Sequence, residues 1–252
     1  MPNTDETIKV MTFNIASGQK LNGSLDLELT ASAIEKAEVD IAGLQEVDHN
    51  FSQRSNFEDQ AKWLADRLGM FMAYGPNISE EAVDGKKARR QFGNAVLSKF
   101  PIVKFHNHLL TLRKAEGNKS EQRGLLETVI EIDGFQLAFF NTHLSLNDDE
   151  LEIHIGGLLK ITGEANMPVI VAGDFNADPS SSHIEKVKQR FTDVFGASEN
   201  HPSTYKKKGH HGEKIDYIFY DRNWKVLRAE MIETEASDHY PLFAELQLFT
   251  NP

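Results

Sequence analysis

The sequence predicts an α+β protein, built from stacked and mostly antiparallel sheets with helices on their outer sides. Apolar runs of strand length alternate with segments of helical periodicity along nearly the whole chain. Two pairs of these runs are separated by short turn-like segments, as in antiparallel hairpins. The 252 residues are 40% hydrophobic and show no linker-like change of composition, so we expect one domain over residues 1–252.

The N-terminal half contains two strand–helix repeats followed by further strands. Amphipathic helices are expected at DLELTASAIEKAEVD (residues 26–40) and at FEDQAKWLADRLG (residues 57–69), where Gly69 supplies a C-terminal stop. Strands are expected at four apolar segments: residues 8–17, 41–47, 71–76 and 93–110. The polar, glycine-bearing residues 75–92 are interpreted as a loop.

The C-terminal half begins with the clearest hairpin. LLETVIEIDGFQLAFFNTHLS (residues 125–145) places two apolar strands around Asp133-Gly134, and KIDYIFYDRNWKVLRAEMI (residues 214–232) is interpreted as a second hairpin. Helices are expected at residues 148–165, where Gly156-Gly157 weaken the prediction, and at residues 180–196, which begin with a serine cap. Strands are expected at residues 168–176 and 239–248, and loops at residues 113–124 and 205–214.

The charge balance and the residue types restrict the functional class. The net charge is −11, with 38 acidic and 27 basic residues, which argues against a general nucleic-acid binder but leaves a nuclease open because bound cations change the local field. The absence of cysteine excludes disulfides and thiolate metal sites. No signal peptide or membrane-spanning run is recognisable, so we expect a soluble, cytoplasmic protein, although a secreted protein with a removed signal peptide would read the same.

Polar and ionisable residues stand at the edges of the predicted apolar strands. The segment VIVAGDFNADP (residues 169–179) leads from buried-strand residues directly into Asp174 and Asn176. Eight residues follow this pattern: Asn14, Glu46, His143, Asp174, Asn176, Asp216, Asp238 and His239. Each alone is explained as a turn residue, a cap or a satisfied polar group. Because strand edges of a sheet sandwich face a shared cleft, we expect them to meet.

Converging carboxylates indicate a metal site. They cannot all stay ionised within a few ångströms without a counter-charge. Oxygen ligands without cysteine favour a hard cation, Mg²⁺ or Mn²⁺. A hard metal with an Asp–His pair suits phosphoester hydrolysis, in which a carboxylate aligns the attacking water and an imidazole stabilises the transition state. We therefore expect Asp174 to face a water in line with phosphorus.

Seven short motifs carry a resemblance to a known family. TFNI, LQEV, GNAVLSKFPI, NTHLS, GDFNADP, IDYIF and SDHYPL occur in this order and resemble the motifs of the endonuclease/exonuclease/phosphatase superfamily, which includes DNase I. The resemblance covers residues 8–248. It implies a four-layer α/β sandwich of two mostly antiparallel sheets flanked by helices, with the active site at the common edge of the sheets.

The resemblance also implies which residues bind the metal and the phosphate. Glu46 resembles the main Mg²⁺ ligand, with Asn14 contacting metal and phosphate and Asp238 beside the metal. Asn176 resembles a phosphate ligand. Arg123, in EQRGLLE, resembles the arginine that precedes the central hairpin of the family and contacts the substrate.

Four further residues resemble the catalytic group of the family. Asp174 resembles the residue that positions or deprotonates the nucleophilic water. His239 resembles the catalytic histidine, oriented by Asp216. His143 resembles a second histidine that contacts the phosphate. Asn94, in GNAVLS, is assigned only to the support of the cleft.

Three functional hypotheses follow. A phosphoester hydrolase acting on a small or lipid-derived phosphodiester or phosphomonoester is favoured. A DNA or RNA nuclease is the second hypothesis, and the net charge and the lack of a Lys- and Arg-rich helical insertion weigh against it. A binding or scaffold protein on an inactive enzyme fold is the third, and the complete set of motif residues weighs against it.

Other polar clusters have competing interpretations. His201 and His210-His211 read as a solvated loop rather than a metal tract. The basic clusters at residues 86–90 and 206–208 are either solvated loops or contacts to a phosphate-bearing substrate. Phenylalanine, with 16 residues, is attributed to core packing.

The segment that follows the Glu46 strand also has two interpretations. Asp48 and Arg54-Ser55 either shape the substrate side of the cleft or belong to a helix start, with Ser55 or Asn56 as the cap.

Overall fold

The computed structural model describes residues 6–83, 85, 88–113, 120–196, 202–206 and 212–249. Its strands are β1 (Thr7–Asn14), β2 (Ile41–His49), β3 (Phe71–Glu80), β4 (Arg90–Ser98), β5 (Ile102–Leu109), β6 (Gly124–Ile132), β7 (Phe135–His143), β8 (Val169–Asp174), β9 (Thr192–Asp193), β10 (Asp216–Tyr220), β11 (Trp224–Met231) and β12 (Leu242–Leu248). Its helices are α1 (Leu27–Lys36), α2 (Gln60–Leu68), α3 (Asp148–Thr162) and α4 (Ser182–Lys188). Short 3-10 turns lie at Ala16–Gly18 and Gln53–Ser55.

The strands form two six-stranded sheets. The first has the order β11-β12-β1-β2-β4-β3 and the second the order β5-β6-β7-β8-β10-β9. Each sheet contains one parallel pair, β1 with β2 and β7 with β8, and its other pairs are antiparallel. The predicted mostly antiparallel α+β fold is therefore confirmed.

Three apolar cores account for a four-layer arrangement. One core lies between the sheets and contains Val10 and Ile41 from the first sheet together with Phe139 from the second. The neighbour of Val10, Met11, points to the other face and packs with α1 and α2. The third core joins the second sheet to α3 and α4. Both faces of the central strands are buried, which explains their continuous apolar runs.

The helices begin at side-chain caps and bury one apolar face. Asp26, Asp59, Asn147 and Ser181 each accept a hydrogen bond from the first turn of α1, α2, α3 and α4. The predicted serine cap is thus present, whereas the suggested caps Ser55 and Asn56 are wrong because α2 begins after Asp59. α3 runs through Gly156-Gly157 without a break, since Leu151, Ile155 and Leu158 are buried against the sheet.

Three predictions about the elements are corrected. Residues 214–232 are not a hairpin: β10 pairs with β8 and β9, whereas β11 pairs with β12 in the other sheet. The helix expected at residues 180–196 ends at Lys188, because Asp193 lies in β9 and forms a buried ion pair with Lys214. The loop expected at residues 75–92 is shorter, since β3 continues to Glu80 and β4 begins at Arg90.

The hairpin at residues 125–145 is confirmed as β6 and β7. Among the described helices, none is long and apolar enough to cross a membrane. The cytoplasmic location and the single domain stay predictions.

Candidate active site

Several predicted site residues lie at neighbouring strand ends of the second sheet. His143 is the last residue of β7, Asp174 the last of β8 and Asp216 the first of β10. The register sets His143 opposite Asp174, and Asp174 opposite Asp216. Three side chains from distant parts of the sequence therefore meet at one edge, because one strand is flanked by a parallel and an antiparallel neighbour.

Glu46 reaches this edge from the first sheet through an irregularity in β2. The pairing of β2 with β4 shifts between Leu44 and Val47, and Glu46 has a φ of 56°. A left-handed residue inside a strand redirects its side chain, as in a β-bulge. Its neighbour Gln45 is fully buried and donates a hydrogen bond to Asn141 Oδ1 at 2.6 Å. The bulge thus lets Glu46 leave the core while Gln45 stays inside.

Asn14, the last residue of β1, joins the two carboxylates. Its Nδ2 donates to Glu46 Oε1 at 3.0 Å and to Asp174 Oδ2 at 3.1 Å. Its Oδ1 accepts the backbone N–H of Ala16 at 3.1 Å. Asn14 is completely buried, so this amide holds residues of both sheets at a fixed separation. In this orientation it faces the carboxylates as a donor rather than as a metal ligand.

His239 and Asp216 form a buried pair. His239 Nδ1 lies 2.9 Å from Asp216 Oδ2, and both residues are nearly inaccessible to solvent. Ser237, the first residue of the SDHYPL motif, for which no role was predicted, fixes the backbone here. Its hydroxyl accepts the N–H of His239 at 3.1 Å and donates to the Asn14 carbonyl at 2.7 Å. A small hydroxyl residue two positions before a candidate histidine is the only sequence signal for this role.

The charge of His239 follows from its neighbours. Burial lowers the pKa of His239, but the charge and hydrogen bond of Asp216, followed by the charges of Asp174 and Asp238, raise that pKa to about 10. His239 is therefore an imidazolium at neutral pH. Its Nδ1 donates to Asp216, and its Nε2–H is turned toward Asp174, whose Oδ2 lies 3.8 Å away.

Asp174 is the most strongly perturbed carboxylate of the cluster. Burial and the charge of Asp216 raise its pKa to about 7, although His239, Asn14 and the backbone N–H of Asn176 favour its ionised form. The Asn176 N–H donates to Oδ1 at 3.0 Å, and Asn14 donates to Oδ2. A carboxyl group whose pKa lies near neutrality is suited to accept a proton from water.

His143 has a defined tautomer. Arg123 Nη1 lies 3.1 Å from His143 Nδ1, and since a guanidinium only donates, Nδ1 accepts and the proton is on Nε2. Burial, followed by the charges of Arg123 and His239, lowers the pKa of His143 well below its usual value. His143 is thus neutral, with Nε2–H 3.5 Å from Asp174 Oδ2.

Asn176 and Asp238 lie at the margin of the cluster. The side chain of Asn176 donates to the Leu144 carbonyl at 3.0 Å, which fixes the turn after β8. Asp238 Oδ1 lies 3.3 Å from the Ser237 hydroxyl oxygen. Burial is the largest cause of the raised pKa of Glu46, and the charge of Asp238 raises it further. The structure therefore brings all the predicted site residues to one region, with Asn176 engaged in a loop contact.

The acidic cluster fits a divalent cation. Ligand atoms of Asp174, Asp216 and His239 lie within 4.8 Å of one another, although the imidazolium is held by Asp216. Asp216 Oδ1 is buried and has no hydrogen-bond partner among the described residues. Burial raises the pKa of Glu46, so this carboxylate would be relieved by a nearby positive charge. The donor set is oxygen-rich, as hard cations prefer.

The other polar clusters give a mixed outcome. His201, His210 and His211 lie outside the described residues, as do residues 86–87 and 207–208. Of the basic clusters, Arg89 and Arg90 pair with Glu81 and Glu80. Lys206 Nζ donates to backbone carbonyls and lies 3.6 Å from the centroid of the Tyr240 ring. These three side chains therefore already have hydrogen-bond or ion-pair partners within the protein.

Asn94 and Tyr205 lie beside the cluster. The buried Asn94 donates to the Gly124 carbonyl at 3.2 Å, next to Arg123, which is consistent with support of the cleft. Tyr205, which no motif predicted, has its ring centroid 4.9 Å from that of His239. It covers one side of the imidazole.

Residues 11–239 match the Endonuclease/Exonuclease/phosphatase family. The chain belongs to this family. It is therefore a hydrolase of phosphoester bonds. It is 27% identical to the uncharacterized protein YbhP of Escherichia coli strain K12, across 96% of this chain and 97% of YbhP.

Two solved structures show the same fold. The endonuclease/exonuclease/phosphatase of Beutenbergia cavernae matches with a TM-score of 0.79 and 20% identity, covering 98% of this chain and 72% of that protein. The mannosyl-6-phosphatase Bt3783 of Bacteroides thetaiotaomicron matches with a TM-score of 0.71 and 20% identity, covering 95% of this chain and 99% of that protein. The predicted four-layer sandwich is thus confirmed.

Proposed function

We propose that the chain is a Mg²⁺-dependent hydrolase of small or lipid-derived phosphomonoesters or phosphodiesters, with Mn²⁺ as the alternative cation. The observation that carries this proposal is the position of Asp174 Oδ2. It lies 3.5 Å from His143 Nε2 and 3.8 Å from His239 Nε2, beyond the usual N–H···O distance of about 2.7–3.2 Å. Both N–H donors face Asp174 without a tight bond, so they are free to meet the oxygens of a bound phosphate.

Asp174 is proposed to position and deprotonate the attacking water. Its two oxygens are held by Asn14 and by the N–H of Asn176, which fixes the carboxylate plane. Its pKa of about 7 supports proton acceptance near neutral pH. The proton of the water passes to this carboxylate as the oxygen–phosphorus bond forms, and the ester bond breaks to release an alkoxide that takes a proton from solvent and leaves as the alcohol.

The two histidines are proposed to stabilise the charge that develops on the phosphoryl oxygens. His239 supplies a charged N–H donor, and Asp216 keeps it charged and oriented. His143 supplies a neutral N–H donor, and Arg123 fixes its tautomer. Fixed donors of this kind favour the transition state because they need no reorganisation during the reaction.

Glu46 is proposed as the main metal ligand, with Asp238 beside it, whereas the Asn14 amide supports the Glu46 carboxylate as a donor. A bound Mg²⁺ would neutralise phosphate charge and polarise the ester. The raised pKa of Glu46 supports this assignment, since a carboxylate buried near another acid is stabilised by a cation. Asn14 keeps Glu46 at a fixed distance from Asp174.

A small or lipid-derived substrate is preferred to nucleic acid. The net charge of −11 opposes long-range attraction of a polyanion. The fold is shared with a mannosyl-6-phosphatase over nearly the whole chain, which supports a small phosphomonoester as one candidate substrate. Nucleic acid remains an outcome of the test.

The test measures hydrolysis of p-nitrophenyl phosphate and bis-p-nitrophenyl phosphate, and of plasmid DNA and single-stranded RNA, with Mg²⁺, Mn²⁺ or EDTA. We expect metal-dependent cleavage of a small ester and intact nucleic acids. His239→Ala should abolish this turnover, while the exposed His106→Ala serves as the matched control. Nicking of DNA that depends on His239 would favour the nuclease, and turnover unaffected by His239→Ala would reject the site.

A further inference from the structure

A buried carboxylate, Asp48, holds the guanidinium of Arg54 in a fixed orientation. Asp48 lies in β2, two residues after Glu46, and is completely buried. Its Oδ1 accepts from Arg54 Nη2 at 2.7 Å and its Oδ2 accepts from Nε at 3.0 Å. The hydroxyls of Ser55 and Ser17 donate to the same carboxylate at 2.6 and 3.3 Å. A charged pair with two parallel bonds of this kind is strong and directional.

Two phenylalanine rings confine the guanidinium further. Its central carbon lies 5.0 Å from the centroid of the Phe51 ring and 5.1 Å from that of Phe92. The two rings are neighbours, with centroids 5.7 Å apart. They attract the cation and exclude water from that side, so Arg54 loses little conformational freedom when it binds a ligand.

The guanidinium keeps an unused pair of donors. Arginine has five N–H groups, and Asp48 engages the edge formed by Nε and Nη2. The edge formed by Nη1 and Nη2 points away from Asp48, and among the described residues Nη1 has no hydrogen-bond partner. The Arg54 side chain is 37% exposed, whereas that of Asp48 is inaccessible. The free edge matches the paired oxygens of a phosphate or a carboxylate.

Arg54 lies within electrostatic range of the cleft. Burial lowers its pKa, but the hydrogen bond and charge of Asp48, followed by the charges of Glu46 and Glu121, raise that pKa above its ordinary value. Glu121 in turn forms an ion pair with Arg123 at 2.7 Å, and Arg123 contacts His143. Arg54 therefore lies near Glu46, the proposed metal ligand, and near Glu121, the partner of Arg123.

We propose that Arg54 binds a second anionic group of the substrate, a phosphate or a carboxylate that is separate from the phosphoryl group being hydrolysed. This specificity role rests on the proposed hydrolase function. A substrate with two anionic groups would place one at the metal and the histidines and the other on the free edge of Arg54. A substrate with one anionic group would leave this edge to water.

A purely structural role of Arg54 makes a different prediction. The Asp48 pair connects β2 to the turn at Gln53–Ser55, so loss of Arg54 would loosen this turn. Loosening would weaken the binding of every ligand to a similar degree. It would not change the ratio of affinities between ligands that differ only in a second anionic group, so this ratio is the quantity to measure.

The experiment uses titration calorimetry of the full chain with Mg²⁺. The probes are hexyl phosphate, ω-carboxyalkyl phosphates and alkanediol bisphosphates of increasing chain length. We expect the best doubly anionic probe to bind about tenfold more tightly than hexyl phosphate, as one bidentate charged contact allows. Arg54→Met should reduce this ratio to about one. Arg54→Lys keeps the charge without the planar edge, so its ratio should fall between those of Arg54→Met and the wild type.

Arg67→Met is the matched control, because the Arg67 side chain is similarly exposed, at 34%, and pairs with Glu28 and Glu35 on the helices. It should keep the full ratio. No preference for any doubly anionic probe in the wild type, or a preference in Arg54→Met as large as in the wild type, would overturn the proposal. Preference without any ester hydrolysis would instead leave the Arg54 site standing and refute the proposed function. Ester hydrolysis by a wild type that shows no preference for doubly anionic probes would refute the Arg54 site and leave the proposed function standing.

Discussion

The pair formed by Asp216 and His239 gives a prediction whose size depends on pH. In the metal-free protein, Asp216→Asn removes the carboxylate that lies 2.9 Å from His239 Nδ1. Asp216 is the largest favourable cause of the raised pKa of His239, about 10 against an ordinary 6.5. A folded-state pKa above the unfolded value stabilises the fold fully below the unfolded pKa, and the effect is lost as pH rises through the folded pKa.

The magnitude follows from the difference between the pH and that pKa. Each pKa unit corresponds to about 1.4 kcal/mol, so at pH 7 the raised pKa of His239 contributes about 4 kcal/mol to the free energy of unfolding. His239 is buried, so solvent screening does not reduce it. Asp174 and Asp238 share in the effect, and we expect Asp216→Asn to lower the free energy of unfolding by roughly 2–4 kcal/mol at pH 7. By pH 10.5 the expected loss through His239 is about 0.2 kcal/mol.

The assay is urea denaturation of the wild type and Asp216→Asn in EDTA at pH 7 and pH 10.5, with an NMR titration of the His239 ring. Glu127→Gln is the control, because Glu127 also lies 2.7 Å from a histidine but both partners are partly exposed, at 22% and 26%. That exposed pair should contribute less than about 1 kcal/mol. An equal loss of stability at both pH values for Asp216→Asn, or an unshifted titration of His239, would refute the reasoning.

Three further predictions concern the acidic cluster and the sheet beneath it. Asp174→Asn should raise the melting temperature of the metal-free protein by a few degrees, because it removes a buried carboxylate and its repulsion with Asp216, and it should lower kcat by about three orders of magnitude. Scanning calorimetry and turnover assays measure the two effects, and a lower melting temperature would contradict the prediction. Glu46→Gln should weaken Mg²⁺ binding by at least about tenfold in titration calorimetry, whereas unchanged affinity would remove Glu46 from the metal site. Gly173→Ala would set a Cβ 2.1 Å from the Thr142 carbonyl oxygen at a φ of 154°, so we expect the free energy of unfolding to fall by roughly 3 kcal/mol or more. Chemical denaturation measures this change, and a loss below about 1 kcal/mol would show that β7 and β8 can separate there.

The site combines rigid support with unfavourable charge. Asp174, Asp216 and His239 are each held by backbone register or by a hydrogen bond to a neighbour. Burial and the facing carboxylate of Asp216 together raise the pKa of Asp174, so its ionised form destabilises the metal-free fold. The surrounding cores therefore have to stabilise an arrangement that is suited to the reaction.

Local sequence patterns were enough to predict most of the strands, the helices that flank them and the polar residues at the strand ends. Continuous apolar runs become strands that are buried on both faces, and a polar residue where such a run stops has to lie at the sheet edge. For this reason Asn14, His143, Asp174 and Asp216 could be selected before any coordinates were known.

The pairing of the strands and the orientation of the site side chains could be read only from the folded chain. The segment at residues 214–232 reads as a hairpin because alternation identifies strands but not their neighbours, and β10 and β11 belong to different sheets. The bulge at Glu46, the donor orientation of Asn14, the link through Ser237 and the pairing of Arg54 with Asp48 all depend on contacts between distant residues. Local sequence patterns carry no information about such distances, so these features required the folded chain.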